Sequence, residues 1–505
     1  MASDAVDLGA VSKVTGYKII KGNFNNSTPN LPQRIAIIGQ GNTANQASID
    51  PAVPVEITSA KQAGELFGFG SQIHMAMRIL RPFSGSGVGS IPTIVYPQLA
   101  AVGATAKIFE IAPVGVATSN AVHTVVISGR SGLDGVSYDV SISKNDTSAE
   151  ITQKIEDVVN NVLGCPFSAV STDYEATLTS KWKDLSADEL KVSINTNGND
   201  AGINYSITST QDGSGTPSIA ASLALFENEW NTIVLNTYGT TTSIIEALED
   251  FNGIPDPNNP TGRFSGIVMK PFFAFTGTTD ENGETTFTDA RKTEVTIAMC
   301  PAPKSDGHPL EAAANYAFLQ SVQAQNNPHL DISGQYLPDM PTPTSIGYMS
   351  SWINRDTVVK KGHSTVELTA GKYRVCDFVT TYHPDGETPP QLRYVRNLTI
   401  DFNIKFKYRL IEEINVVDHA IASDATIVTA SNVIKPSQWK QVLSKFFDDL
   451  AVNGLIVNPD FSKEGLIVNI STTNPDRFET FFPYQRSGFA RISSTTAEAG
   501  FNFNN

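Results

Sequence analysis

Gly39-Gln40-Gly41-Asn42-Thr43-Ala44 spells G-x-G-x-x-A directly after the apolar run Ile35-Ala36-Ile37-Ile38, the residue order of a dinucleotide-binding turn. That chemistry needs a strand that stops at the first glycine and backbone able to approach a pyrophosphate. It also needs a helix whose first amides point at the phosphates. The residues that follow are QASIDPAVPVEITS, where Pro51 and Pro54 sit in an alternating, extended pattern. A helix does not tolerate that pattern. The first helical spacing begins near Ser59, and Glu56, which imitates the ribose-binding acid, is on the wrong element. The glycines read as a turn leaving a buried strand. No cofactor is expected.

Other reactive residue types are present without the spacing that chemistry requires. The seven histidines (74, 123, 308, 329, 363, 383 and 419) include no H-E-x-x-H and no paired helical spacing, so no metal site is expected. His74 falls in a helical segment and reads as a packing or surface residue. There is no G-x-x-x-x-G-K-[ST] and no G-x-S-x-G, which removes a phosphate-cradling loop and a nucleophile elbow. DENGE at 280–284 and Asp448-Asp449 lack the oxygen spacing of a calcium loop and read as solvated charge. KGHST at 361–365 and SDGHPL at 305–310 faintly echo the histidine surroundings of subtilisin-type proteases. A protease also needs a nucleophile and an orienting acid beside that histidine, and no small-residue serine motif at a helix start supplies the first. The sequence points away from an enzyme.

The elements that would carry such residues follow from composition and pattern. A chain of 505 residues holds more than one core, and about three or four domains is the prior. Hydrophobic residues make up 40% and charged residues only 17%, a mixture rich in strands and long loops. A net charge of -15 opposes general nucleic-acid binding, which needs a basic surface. Cys165, Cys300 and Cys376 lie far apart and odd in number, hence reduced thiols. MASDAVDLGAVSKV has neither a charged n-region nor an apolar h-region, so no signal peptide is expected and folding in a cytoplasm is. No uncharged apolar run is long enough to span a bilayer, and IVMKPFFAF is broken by Lys270 and Pro271.

Along the chain, residues 1–30 carry one isolated strand pattern, GYKIIKGNFNN. A strand with no local partner frays or pairs elsewhere, for instance on another subunit. Residues 31–104 read as α/β, with strands RIAIIG and VPVEIT, a helix from Ser59, the helix SQIHMAMRILRPF and strand IPTIVYPQ. Residues 105–215 read as a β-rich insert of short alternating strands with one helix at 148–162. Residues 216–365 return to α/β: strand TIVLNTY, helix TTSIIEALEDF, strands SGIVMK and EVTIAMCPA, and a helix at 309–325 started by Pro309. Residues 327–371 read as long loops, and 366–482 as an α+β piece that opens with the strand GKYRVCDFV. Within it QLRYVRNLTIDFNIKFKYRLIEEI alternates as a strand does, yet Leu398, Phe402, Phe406 and Leu410 also stack at i, i+4. Length and the absence of breakers favour helix. SQWKQVLSKFFDDLAVNG is a second helix, stopped at Gly454, and residues 483–505 form a terminal segment.

Several segments together resemble the contractile tail sheath proteins of bacteriophages, among them the Mu-like sheaths. They are LPQRIAIIGQ, PVEITSAKQAGELFGFGSQIHMAMRILRP, PTIVYPQ, YRVCDFVTTYHPDGETPPQLRYVRNLTIDFNIKFKYRLI and NPDRFETFFPYQRSGFARISSTTAEAGF. The resemblance covers both ends and the α/β middle; the insert matches by position alone. Where the family often has a double proline, this chain has Phe482-Pro483-Tyr484. The resemblance implies a multidomain α/β protein. Its parts would be a non-catalytic subtilisin-like sheath domain, an inserted β-rich outer domain, an α+β tube-proximal domain and extended terminal arms. It implies hexameric rings stacked helically around a tail tube, joined by arms that add strands to neighbouring subunits. Contraction would drive the tube through the host envelope for genome ejection, with the energy stored at assembly and no nucleotide required. Implied partners are further copies of the chain, the tube protein, and baseplate and tail terminator proteins. Neither direct nucleic-acid contact nor membrane insertion is implied. The implied place is the virion tail, assembled in the host cytoplasm.

Under that resemblance the arm strands fall on Tyr17, Ile19, Ile20, Phe481, Phe482, Phe489 and Ile492. Arg393, Arg396, Lys405, Lys407 and Arg409, set against the single acid Asp401, form an expected tube-facing stripe. The other reading of these cations is an inner helix paired with neighbouring acids. Two alternatives to a phage tail stand beside it: the sheath of a tailocin or phage-like injection device, and an inactive hydrolase of subtilisin type.

Overall fold

The runs RIAIIG, PTIVYPQ and TIVLNTY are apolar on both faces, which suits strands covered by helices on each side. A computed structural model describes residues 28–83, 85, 87–130, 136–266, 268–387 and 391–499. It places these runs side by side in a six-stranded sheet. The order is Ile297–Pro301, Phe273–Thr278, Ile233–Asn236, Ile35–Gln40, Thr93–Gln98 and the short edge Val55–Glu56. All neighbours are parallel except that edge, which runs antiparallel to Thr93–Gln98. Every residue of the strands Ile35–Gln40 and Thr93–Gln98 is buried.

Helices close the sheet. Ser59 Oγ accepts from Gln62 N at 3.1 Å to start Ala60–Phe67, and Ser71 Oγ accepts from His74 N at 3.2 Å to start Gln72–Leu80. Thr242–Asn252 places Ile244, Ile245 and Leu248 against Ile38, Val234, Phe272 and Met299 in the core. Pro309 opens the long buried helix Pro309–Asn326, where it forfeits no hydrogen bond. The strand expected at SGIVMK begins later, at Phe273–Thr278; Pro271 lacks the amide that a ladder needs. The stretch expected to be loop holds the helix Trp352–Lys360 and the strand Thr365–Thr369 as well. Its short apolar set, Val358 and Val359, is outweighed in sequence by polar neighbours.

Between Thr93–Gln98 and Ile233–Asn236 the chain builds the β-rich module. One antiparallel sheet runs in the order Asn204–Gln211, Ile108–Val114, Ala176–Ser180, Phe167–Ser171, and a second in the order Asp139–Ile142, Ala121–Ile127, Val192–Asn195. The helix Ser148–Asn161, with a Thr147–Glu150 capping box, buries Ile151, Ile155 and Val159.

The molecule is mixed α/β with two compact units. Among the described residues, the larger takes in those of 31–405, 453–457 and 485–499, and the smaller those of 28–30, 406–452 and 458–484. The units part inside the helix Val395–Asn415. The hairpin Thr365–Thr369 with Lys372–Asp377 belongs to the larger unit. The smaller unit packs Trp439, Leu443, Phe446, Phe447 and Leu450 of Pro436–Val452 inward. It also carries the antiparallel pair Ile467–Ile470 and Phe478–Phe481.

Candidate functional site

The glycine turn sits where a cofactor would bind, at the carboxyl end of a parallel strand, but no α-helix begins there. Residues 43–48 form a turn and a single 3-10 turn, Gln46–Ser48. A Cβ on Gly41 would stand 2.4 Å from Ile49 Cδ1 and 2.8 Å from the Phe67 carbonyl oxygen. Close packing of two loops explains that glycine. Beyond the strand ends lies an open crevice of about 1120 Å³ whose lining includes Asp188, Glu189, Asp280 and Glu284. Four carboxylates repel a phosphate-bearing ligand. Among the described residues no three His, Cys, Asp or Glu side chains gather as a metal site.

The two histidines that echo a protease are buried and bonded to nearby backbone. His308 Nδ1 accepts from Leu310 N at 3.1 Å as a helix cap, and its Nε2 meets the Ser186 carbonyl at 2.8 Å. Burial lowers its pKa. His363 Nδ1 donates to the Ser364 carbonyl at 2.7 Å, and burial lowers its pKa to about 4. Neither ring meets a serine hydroxyl in these hydrogen bonds, so neither is placed as the base of a triad. His383 meets Asp289 at 3.0 Å and the Thr381 carbonyl at 2.6 Å. His74 is buried, as a packing residue would be; its Nδ1 accepts from Gly70 N at 3.2 Å.

The cations of the helix Val395–Asn415 do not behave as one stripe. Arg396 is 3% exposed and Lys407 2% exposed, each with its donors used inside its own unit. Buried with internal acceptors, these two charged groups are not available for direct contact as they stand. Arg393 is half-buried near the Lys360 carbonyl, and Lys405 lies 4.7 Å from the Trp230 ring centroid. Arg409 is exposed and pairs with Glu412 at 2.8 Å.

The expected arm residues separate in the same way. Tyr17, Ile19 and Ile20 lie outside the described residues. Phe482 is half-buried in the smaller unit, with ring centroids 5.2 Å from Phe447 and 5.5 Å from Tyr408. Phe481 ends the strand Phe478–Phe481 and is 62% exposed, opposite the exposed Ile467. Phe489 lies beside two guanidinium groups, Arg491 at 5.0 Å and Arg396 at 5.7 Å. Ile492 is 91% exposed. Among the described residues no strand follows Phe481. Beside Phe478–Phe481, Tyr408, Glu412, Trp439, Arg477 and Thr480 line a groove of about 540 Å³. The strand pair has two members among the described residues, so each strand has an edge that the other does not pair. Edge availability depends on which strands pair in three dimensions, so the sequence signal alone did not reveal it.

No protein-family model matches the chain. It is 21% identical over 459 residues to the Mu-like prophage FluMu tail sheath protein of Haemophilus influenzae, covering 89% of each. Solved structures with similarity include a sheath tail protein from Desulfitobacterium hafniense, at 10% identity, TM-score 0.43, 93% of this chain and 100% of that one. Another is a sheath tail protein from Listeria innocua, at 11% identity, TM-score 0.43, 91% and 93%. A chain of the anti-feeding prophage baseplate matches at 10% identity, TM-score 0.43, 97% and 100%. The resemblance read from segments at both ends of the sequence is thus borne out along most of its length: the chain is similar to a Mu-like phage tail sheath protein.

Proposed function

We propose that the protein is the structural subunit of a contractile tail sheath. It would polymerise as stacked hexameric rings around a tail tube and shorten to drive the tube through a host envelope during DNA ejection. The observation that carries this reading is the sequence relationship that spans 89% of both chains. A likeness confined to one domain would speak for a shared fold; one spanning the chain speaks for shared assembly. Two features support it. The pair Ile467–Ile470 and Phe478–Phe481 has two strands and an exposed apolar pair, Ile467 and Phe481, that an incoming strand could extend and cover. The parallel sheet with crossover helices suits a subtilisin-like body whose histidines serve as caps and core.

In this reading residues 105–215 face outward, residues 31–104 and 216–365 form the body, and residues 1–30 and 483–505 supply arms. Residues 366–482 lie toward the tube, and tube contact falls to the more accessible cations Lys405 and Arg409. Partners are further copies, tube, baseplate and terminator proteins, at a virion tail assembled in the host cytoplasm. Interfaces that exist in two packings let a trigger travel from ring to ring.

Negative-stain electron microscopy of the purified chain, alone and with its cognate tube protein, tests the proposal. Striated hollow tubes or six-fold rings are expected; globular particles in both preparations would overturn it. With assembly established, charge reversal at Lys405 and Arg409 is expected to weaken co-assembly with the tube. Unchanged co-assembly removes the tube-contact assignment.

A further inference from the structure

The buried charges of the helix Val395–Asn415 have a use other than facing a partner. In the larger unit Arg396 Nε donates to the His329 carbonyl at 2.6 Å. Its Nη1 reaches the Ser487 carbonyl at 2.8 Å and its Nη2 the Ser487 hydroxyl at 2.7 Å. Asp401 accepts both arms of the Arg486 guanidinium, at 2.6 Å each. Backbone bonds from Ser487 N to the Leu455 carbonyl and from Val457 N to the Gln485 carbonyl, both 3.0 Å, fix the same stretch. Arg491 closes it, paired with Asp331 and lying over the Tyr394 ring. The next residue, Ile492, is 91% exposed.

The smaller unit repeats the arrangement at the other terminus. Lys407 Nζ donates to the Thr28 carbonyl at 2.5 Å and the Pro29 carbonyl at 3.1 Å. Burial lowers its pKa, and Asp449 opposes that shift. A buried ammonium is costly unless its donors are used. Here they are used on two consecutive carbonyls of one terminal segment. A bidentate Arg–carboxylate pair fixes orientation as well as distance.

We propose that Arg396, Asp401 and Lys407 are positioning residues that root the two terminal segments, Lys407 holding Thr28 and Pro29 in the smaller unit and Arg396 with Asp401 holding Arg486 and Ser487 in the larger, beyond which Ile492 is free of the fold. For the destination of those segments the inference rests on the sheath reading; for their roots it does not. Residues of one helix thus hold both segments, each within its own unit, and the sequence pattern that looked like a partner-facing stripe is in part an anchoring pattern.

Hydrogen exchange on the unassembled full-length chain tests this, with Arg486→Gln, Lys407→Met and the control Arg409→Gln. Arg486→Gln is expected to raise exchange across 485–491 at least tenfold while 28–33 stays protected. Lys407→Met should do the reverse, and the control should move neither. Unchanged exchange at the matching root in a folded variant overturns that root. Should Lys407→Met not fold, deletion of residues 1–30 takes its place. A rooted segment makes the deletion lower the melting temperature, because the lysine loses its acceptors; an unchanged melt overturns the root. Tube formation by the unaltered chain is scored separately. Protected roots without tubes, even with tube protein, count against the sheath reading alone, and tubes with unprotected roots count against this inference alone.

Discussion

A histidine shut away from water is a weak point in acid, and His363 is one. Its ring is fully buried, and among the described residues Nε2 has no hydrogen-bond partner, so a second proton has nothing to meet. Burial holds the folded pKa at about 4 against 6.5 in the unfolded chain. Its neutral form therefore stabilises the fold fully above pH 6.5, and that contribution is lost as pH falls toward 4. At pH 5 the loss is about 2 kcal/mol. Asparagine keeps a donor for the Ser364 carbonyl and does not titrate. Thermal unfolding at pH 7.5 and pH 5 should therefore show the wild-type advantage over His363→Asn shrinking by about that amount. Parallel losses in the two proteins would show that His363 is not among the acid-sensitive groups.

At the scale of elements, stability rests on how closely helices approach the parallel sheet. A Cβ on Gly277 would come within 1.7 Å of the Pro309 carbonyl oxygen and 2.5 Å of its carbon, both backbone atoms. The helix Pro309–Asn326 has 13 buried residues and cannot tilt away to make room. Gly277→Ala is expected to cost about 3 kcal/mol or more in urea unfolding of the larger unit. Thr147→Ala removes a capping box from a more peripheral helix and should cost about 1 kcal/mol. A Gly277→Ala protein as stable as wild type would mean that the helix is less firmly seated than its burial indicates.

For the whole molecule, the net charge of -15 makes copies repel one another. Screening shortens that repulsion to about 10 Å at 0.1 M salt, so self-assembly is expected to increase with ionic strength. Light scattering across a salt series measures it, and assembly that falls with salt would place attractive ion pairs at the interfaces instead. Deletion of residues 492–505 begins beyond the contacts of Arg486 and Arg491. It is expected to abolish tubes and leave monomer melting unchanged. Tubes from the truncated chain would remove the C-terminal segment from the lattice.

The sequence by itself determined the parts that local physics settles. Period-2 runs became the strands of the insert, continuous apolar runs became buried parallel strands, and Pro51 and Pro54 ruled out a helix after the glycine turn. Segments at both ends carried the family resemblance. The segment 391–411 read as strand and helix alike and folded as the helix Val395–Asn415. Tertiary structure decided what depends on which residues meet. Arg396 and Lys407 are equivalent in sequence to Arg409, yet the first two are buried against terminal backbone and the third is exposed. Phe481 and Phe482 are adjacent, yet one is exposed on a strand and the other is half-buried against the Phe447 ring. Charge and hydrophobicity are properties of a residue. Whether either is presented to a partner or used within the fold depends on contacts between residues far apart in the chain, such as Thr28 and Lys407 with a sequence separation of 379.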